Sequence, residues 1–239
     1  MNLAGKTAFV TGAARRLGRE LAIHLRKADC SIVVHYNRSE TEAKSLQAEI
    51  GCRLFQADFS NTSIKNLQNR LKEEIGFVDI LVNNASSFSH TDWEDIGEEL
   101  WDHEMSVNLK VPFFLAHFFG RQMKANGFGK IVNLTDIAAE RPYLNYLPYS
   151  IARSGVVAFT QALARAFAPE VQVNAIAPGT ILFPDNMPAE LQEKILSKIP
   201  AGRPCRIDEF LRTVDFLLAD VDYITGQTII LDGGRSLTW

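Results

Sequence analysis

Short apolar runs alternate with longer segments of helical spacing along almost the entire chain. The short runs are rich in β-branched residues, as in buried strands, whereas the longer segments repeat apolar residues three and four apart, as on one helix face. This pattern predicts strands at residues 6–11, 31–36, 53–57, 78–83, 130–135, 171–177 and 228–231. It predicts helices at 16–28, 40–50, 61–75, 95–126 (one helix or two), 147–168, 189–198 and 208–219.

Such alternation is typical of parallel strands joined by crossover helices. We therefore predict an α/β fold: a single Rossmann-like, doubly wound parallel sheet of about seven strands with helices on both faces. One domain is expected to span 1–239. Residues 182–206 interrupt the alternation with four prolines and a short helix, and we interpret them as a substrate lid.

Composition narrows the possible functions. The chain has 239 residues, of which 46% are hydrophobic and 22% charged, and its net charge of −3 gives no reason to expect a nucleic-acid partner. The cysteines have no CxxC spacing and the histidines form no HxxxH or HExxH pair, so no metal site is expected. The longest apolar run, 111–119, is half a membrane span, and the N-terminus leads straight into a strand without room for a signal peptide. We expect a cytoplasmic protein that does not bind membranes.

The first strand leads into a turn that begins at Gly12 and ends at Gly18, followed by a helix. A strand, a glycine turn and a helix N-terminus form a cradle for phosphate groups. The second strand ends without the acidic residue that would hold an NAD ribose. Nearby are instead Arg16, His35, Arg38 and Ser39, whose cations and hydroxyl suit a 2′-phosphate and predict NADPH. The alternative is a solvated basic loop end.

Two further strand ends carry candidate ligand contacts. Asp58, after the third strand, can accept a hydrogen bond from an adenine amino group or can cap the next helix. Phe88, after the fourth strand, can stack on a flat ring or can belong to the core. Because carboxyl ends of parallel strands line the ligand crevice, the ligand interpretation gains weight from their shared position.

Three residues near the fifth strand predict proton delivery. Tyr149 and Arg153 stand four apart on a predicted helix and share a face, and Asp136 ends the preceding strand. A guanidinium one turn from a phenol stabilises the phenolate, so we expect Arg153 to lower the pKa of Tyr149. The alternative is a tyrosine and an arginine on a solvated helix face.

These residues together resemble the short-chain dehydrogenase/reductase family over essentially the whole chain. The matching pieces are Thr11-Gly12…Gly18, Asp58, Asn83-Asn-Ala, Asn108, Tyr149 with a basic residue four on, Pro178-Gly179 and Asp232-Gly-Gly. Within the family, the chain is most similar to pteridine reductases. It shares with them Arg16 in the turn, His35-Tyr-x-Arg38-Ser39, Asn84-Ala-Ser-Ser-Phe88, Asp136 in place of the usual serine, and the lid run Asp185-Asn-Met187-Pro188.

The resemblance implies a role for each matching residue. It implies that Phe88 and the nicotinamide enclose a pterin ring, that Tyr149 and Asp136 deliver protons, that Asn108 supports a water, and that Ser86 and Tyr146 touch substrate. It implies a homotetramer, the assembly common in the family. The implied NADPH contacts are Gly12, Arg16, Leu17, Gly18, His35, Arg38, Ser39, Asp58, Asn84, Ala85, Ser86, Tyr149, Arg153, Pro178 and Gly179.

One residue departs from the family pattern. Arg153 stands where the family has lysine. An arginine can bond a ribose and act on the tyrosine, but it cannot release a proton near neutral pH and so is a poor member of a proton relay. This departure leaves open a catalytically degenerate NADP(H)-binding protein.

Asp136 bears on the choice of reaction. An ionised carboxylate would repel a developing alkoxide, whereas reduction of a C=N bond needs an acid near the nitrogen. The sequence therefore predicts an NADPH-dependent reductase of pterin, dihydropterin or dihydrofolate-type substrates. A carbonyl reductase that acts on another small substrate stays open.

Overall fold

The alternation of strands and helices forms one seven-stranded parallel sheet, with the strand order β3-β2-β1-β4-β5-β6-β7. This computed structural model describes residues 3–184 and 186–238, so Asp185 of the predicted lid run lies outside the described residues. The strands are β1 (Thr7–Val10), β2 (Ser31–Tyr36), β3 (Arg53–Gln56), β4 (Ile80–Asn83), β5 (Gly129–Leu134), β6 (Val171–Pro178) and β7 (Thr228–Leu231). The predicted fold class is confirmed.

The helices follow the predicted segments; most are shorter, α2 has the predicted bounds, and α8 begins one residue earlier than predicted. They are α1 (Arg16–Lys27), α2 (Glu40–Ile50), α3 (Ile64–Arg70), α4 (Glu98–Met105), α5 (Val111–Ala125), α6 (Leu147–Phe167), α7 (Ala189–Leu196) and α8 (Ile207–Asp215). The predicted helical region 95–126 is divided by a π-helical turn at Ser106–Lys110, which contains Asn108. Such turns insert one residue and re-aim the side chains near it, so they are frequent at functional sites.

Each face of the sheet is covered by its own apolar cluster. One cluster packs Phe9, Phe55 and Phe119 between the sheet and helices α3, α5 and α6. The other packs Leu21 and Phe210 from α1 and α8 against the opposite face. Burial on both faces explains why the strands are continuous apolar runs and not alternating ones.

The direction in which successive strands are added to the sheet reverses between β1 and β4. The strands run outward from β1 through β2 to β3 on one side, and from β4 to β7 on the other. In open parallel sheets a ligand crevice forms at such a reversal, outside the carboxyl ends of the strands. The glycine turn after β1, the loop after β4 and Asp136 after β5 all lie at this edge.

Within residues 3–184 and 186–238, no helix combines the length and apolar character that crossing a membrane requires. Cys30 and Cys52 are buried free thiols, and Cys205 is a partly exposed one. The same residues contain no group of three or more His, Cys, Asp or Glu side chains that could hold a metal ion.

Candidate active site

A cavity of about 590 Å³ opens at the strand reversal. Its walls come from the turn after β1, the ends of β2 and β3, and the loop after β4. Of the predicted cofactor and substrate contacts, its lining includes Gly12, Arg16, Leu17, Gly18, His35, Arg38, Ser39, Asp58, Asn84, Ala85, Ser86 and Phe88. The structure therefore brings residues from four separate segments to one cleft.

The turn after β1 packs closely against the loop after β4. Gly12 has a positive φ of 63°, and a Cβ there would come within 2.8 Å of the Ala85 Cα. A Cβ on Gly18 would lie 2.6 Å from the side-chain Nδ2 of Asn84. The same Nδ2 donates to the Thr11 carbonyl at 2.7 Å, so a hydrogen bond joins the two loops. Only glycine leaves room for the two loops to approach this closely, and their close packing fixes the shape of the cavity wall.

Arg16 joins this turn to the predicted lid. Its guanidinium donates to the carbonyls of Leu182 and Phe183, at 3.2 and 3.1 Å. The side chain is exposed and lines the cavity mouth, as does that of Arg38. With Arg15, three arginines therefore line the cavity.

His35 does not supply the positive charge that the sequence predicted. It lies within β2, and its ring stacks on Phe59 at 3.9 Å. Its Nδ1 accepts from the Gly12 amide at 3.0 Å, and its Nε2 donates to the Ala57 carbonyl at 3.0 Å. Burial lowers the pKa of His35 to about 4, so the ring is neutral at pH 7. His35 lines the cavity as a structural support of the turn, and its assignment as a cation was wrong.

Asp58 does not cap the next helix, because α3 begins at Ile64 with Ser63 as its N-cap, and the carboxyl forms a local turn instead. Its Oδ1 accepts from the amide of Ser60 at 2.9 Å and from the hydroxyl of Ser60 at 2.7 Å. These bonds lower the pKa of the carboxyl, which stays ionised at neutral pH. Asp58 still lines the cavity, so the adenine contact stays a prediction.

Asp136 and Tyr149 form an acid pair, in which Tyr149 is buried and Asp136 half-buried. The Tyr149 hydroxyl donates to Asp136 Oδ2 at 2.8 Å, and the amide of Ala138 donates to Asp136 Oδ1 at 2.7 Å. Burial raises the pKa of Asp136, against the lowering effect of these hydrogen bonds and of Arg153. Tyr143, a residue that the sequence analysis did not single out, also interacts with this carboxyl and lowers its pKa.

Arg153 is buried beside this pair, with 3% of its surface exposed. Its Nη1 donates to the Leu134 carbonyl at 2.7 Å, its Nη2 donates to Ser86 Oγ at 2.6 Å, and its guanidinium carbon lies 4.9 Å from the centre of the Tyr149 ring. Its Nε is buried and has no hydrogen-bond partner among the described residues. Buried donors without a partner are rare in proteins.

The sequence predicted that Arg153 lowers the pKa of Tyr149, but in the structure the pKa is raised overall. Burial raises this pKa most, Arg153 opposes the rise, and Asp136 adds to it. Burial wins because the ring is only 5% exposed and removal from water disfavours the phenolate. Tyr149 is therefore protonated at neutral pH, which is the state that a proton donor requires.

Asn108 connects the π-helical turn to the loop after β4. Its Oδ1 accepts from Ser86 Oγ at 3.2 Å and from the Ser87 amide at 3.2 Å. Its Nδ2 donates to Glu104 Oε2 at 2.7 Å. Glu104 was missed in the sequence, although its spacing of four from Asn108 places both on one helix face. The support of a water by Asn108 stays a prediction.

Two aromatic rings form the outer wall beside Tyr149. Phe88 is 53% exposed and stacks on Tyr146 with ring centres 3.9 Å apart and planes 3° apart. The ring centres of Phe88 and Tyr149 are 4.7 Å apart, with the planes 76° apart. The structure thus brings two of the three predicted substrate contacts, Phe88 and Tyr146, next to the acid pair, and it removes the core interpretation of Phe88.

Pro178 and Gly179 lie at the end of β6, at the same sheet edge. The Gly179 amide donates to the Leu231 carbonyl at 3.0 Å. Neither residue is among those that line the cavity, so their cofactor contact stays a prediction.

Comparison with known proteins agrees with this geometry. The family model described as enoyl-(acyl carrier protein) reductase matches residues 12–236. The 2-dehydro-3-deoxy-D-gluconate 5-dehydrogenase of Bacillus subtilis is 35% identical over 244 residues, covering 98% of this chain and 95% of the relative. The acetoacetyl-CoA reductase of Shinella zoogloeoides is 31% identical over 240 residues, covering 96% and 98%.

Among solved structures, FolM alternative dihydrofolate reductase 1 from Brucella canis, complexed with NADP, is similar over the whole chain. Its TM-score is 0.90 at 32% identity, and the match covers 100% of this chain and 96% of that protein. Both the family match and the sequence relatives extend over nearly the full length. The chain therefore belongs to the short-chain dehydrogenase/reductase family and is an oxidoreductase.

Proposed function

We propose that the protein is an NADPH-dependent reductase of pterin, dihydropterin or dihydrofolate-type substrates. The observation that carries the proposal is the half-buried carboxyl of Asp136, bonded to Tyr149 at 2.8 Å beside the exposed ring of Phe88. An acid pair beside a flat apolar surface suits a heterocycle that must accept a proton on nitrogen. The similar Brucella canis structure, by its description an alternative dihydrofolate reductase with NADP, supports the same class.

The residues of the cleft fit NADPH. The turn between Gly12 and Gly18 and the N-terminus of α1 would hold the pyrophosphate. Arg38, Ser39 and Arg16 would hold the 2′-phosphate at the cavity mouth. The unpaired Arg153 Nε would donate to the nicotinamide ribose. When bound, NADPH supplies the hydride.

The geometry of Asp136 and Tyr149 indicates how the proton is delivered. Reduction of a C=N bond adds a hydride to carbon and a proton to nitrogen. Tyr149, protonated at neutral pH, donates its hydroxyl proton to the ring nitrogen. Asp136 in its protonated form, which burial favours, then returns a proton to the phenolate oxygen and takes up another from water. Arg153 stabilises the transient phenolate, because its guanidinium lies over the ring and opposes the rise of the tyrosine pKa.

A carbonyl reductase acting on another substrate is the second candidate. Burial raises the pKa of Asp136, and a protonated carboxyl could donate to a developing alkoxide as a hydroxyl does. The acetoacetyl-CoA reductase of Shinella zoogloeoides is a relative with a carbonyl substrate in its name. The deciding assay compares dihydropterin and dihydrofolate with acetoacetyl-CoA, each with NADPH. Turnover of the acyl thioester without turnover of any pterin would reject our proposal.

Replacement of Phe88 by alanine is expected to raise the KM for a pterin about tenfold, because base–aromatic stacking contributes about 1–3 kcal/mol. The KM for NADPH should change little. Leu144, which is 60% exposed and lies two residues before Tyr146, provides the control as Leu144→Ala. Equal effects of both variants on the pterin KM would contradict a specific stacking role. Crystals soaked with NADPH and an antifolate would test the same contact directly.

Replacement of Arg38 by alanine is expected to reduce the preference for NADPH over NADH about tenfold, because a hydrogen bond to a charged group contributes about 1.5–3 kcal/mol. The effect is measured as the ratio of kcat/KM for the two cofactors. Arg165→Ala removes an exposed arginine of α6 and serves as the control. An unchanged ratio in Arg38→Ala would show that the 2′-phosphate lies elsewhere.

Four further features belong to this proposal as predictions. They are a lid role for residues 182–206, one functional domain over the whole chain, a cytoplasmic location and a homotetrameric assembly. The bonds from Arg16 to the carbonyls of Leu182 and Phe183 support the lid, because they tie its first residues to the cofactor turn.

A further inference from the structure

A buried carboxyl lies outside the acid pair and has no part in the reaction described above. Glu104 on α4 is 1% exposed. Its Oε2 accepts from Asn108, and its Oε1 has no partner within the described part of the chain. A buried carboxyl is costly unless other groups compensate it, so the contacts of Glu104 indicate what the chain uses it for.

Hydrogen bonds lead from this carboxyl to the buried cation. Arg153 Nη2 donates to Ser86 Oγ at 2.6 Å, and Ser86 Oγ donates to Asn108 Oδ1 at 3.2 Å. Asn108 Nδ2 then donates to Glu104 Oε2 at 2.7 Å. Every donor points the same way, from guanidinium to carboxyl. Aligned bonds polarise one another, so the two charged ends stabilise the intervening links.

The side-chain amide of Asn108 is held in one orientation by its neighbours. Its Oδ1 accepts from the Ser87 backbone amide at 3.2 Å, and its Nδ2 donates to the Ser87 carbonyl at 3.1 Å as well as to Glu104 Oε2. With Oδ1 as its acceptor, the Ser86 hydroxyl turns its lone pairs toward Arg153. The Ser87 carbonyl, 3.1 Å away, is the competing acceptor for the same hydroxyl hydrogen. At 2.7 Å the bond to Glu104 is the shortest of these bonds of Asn108, so loss of this acceptor would loosen the amide that directs the Ser86 hydroxyl.

We propose that Glu104 is a positioning residue for Arg153, acting through Asn108 and Ser86. It holds the guanidinium over the ring of Tyr149 and leaves Nε available to the cofactor. A planar guanidinium needs acceptors in fixed directions, which explains why this chain of bonds accompanies an arginine at position 153. The inference rests on the contact between Arg153 and NADPH that the proposed function assigns.

A double-mutant cycle on cofactor binding tests this inference. The dissociation constant of NADPH is measured by fluorescence titration for the wild type, Glu104→Gln, Ser86→Ala and the double variant. Each single change should weaken binding about tenfold. Glu104→Gln replaces the carboxyl acceptor of Asn108 by a weaker amide acceptor, and Ser86→Ala removes the acceptor of Arg153 Nη2. The double variant should bind within about twofold of the weaker single variant, since both changes break one chain of bonds. The kcat should follow the same pattern, and in Glu104→Gln the substrate KM should stay near the wild-type value.

A structural role alone would give a different result. Additive losses in NADPH affinity, or a lower melting temperature with wild-type affinity in Glu104→Gln, would overturn the inference. Glu99→Gln, an exposed change on the same helix, should leave affinity unaltered. Should Glu104→Gln fail to fold, Glu104→Asp keeps the charge, withdraws the acceptor by one methylene and should weaken binding in the same direction. Binding is measured without substrate, so a failed pterin assay leaves this test valid.

Discussion

Tyr149→Phe is expected to lower kcat about 10²- to 10⁴-fold, the usual contribution of a positioned general acid. The hydroxyl that the change removes donates to Asp136 at 2.8 Å, and burial keeps it protonated at neutral pH. The phenylalanine ring retains the surface that faces Arg153 and Phe88. The NADPH dissociation constant should therefore stay near the wild-type value, and steady-state rates with a dihydropterin measure the loss.

Tyr223→Phe is the matched control, because Tyr223 is fully exposed. A Tyr149→Phe enzyme with wild-type kcat would place the proton source elsewhere. A different outcome would support a degenerate cofactor-binding protein: no turnover by the wild type and measurable turnover by Arg153→Lys. That result would mean that the arginine replaced the family's lysine when catalysis was lost.

Asp136→Asn is expected to lower kcat about 10²-fold, the lower end of the range for general acid catalysis. An amide matches the carboxyl in shape and can still accept from Tyr149, but it cannot return a proton to the phenolate. The change should also alter the pH profile. Burial raises the pKa of Asp136 in the folded protein, so the protonated form persists above the usual range of an aspartate. The wild-type rate should fall as pH rises through that raised pKa, and Asp136→Asn should lack this decline.

The measurement is kcat against pH for the wild type and the variant at saturating substrate and cofactor. Asp102→Asn, an exposed change on α4, provides the control and should keep the wild-type profile. If Asp136→Asn keeps both the rate and the decline, Asp136 does not resupply the proton. Tyr143, which also interacts with this carboxyl, would then be the next donor to test.

Much of the fold could be predicted from local pattern because buried parallel strands and crossover helices have different periods. The bounds of β2, α2 and β7 agree with the predicted segments residue for residue. The region 95–126 agrees less well, because the π-helical turn at Ser106–Lys110 has no apolar period of its own. Helix α3 begins at Ile64, three residues after the predicted start, since helix ends depend on local contacts that periodicity does not encode.

The sequence by itself determined which chemical groups reach the carboxyl edge of the sheet, because their positions after predicted strands and their spacing on a predicted helix place them there. Asp136, Tyr149, Arg153 and Phe88 were all found in this way. Only the tertiary structure decided their electrostatics. Burial makes His35 neutral and keeps Tyr149 protonated, although a cation lies over its ring. Only the structure joined Glu104 to Arg153, since desolvation and hydrogen bonding depend on neighbours far apart in the chain.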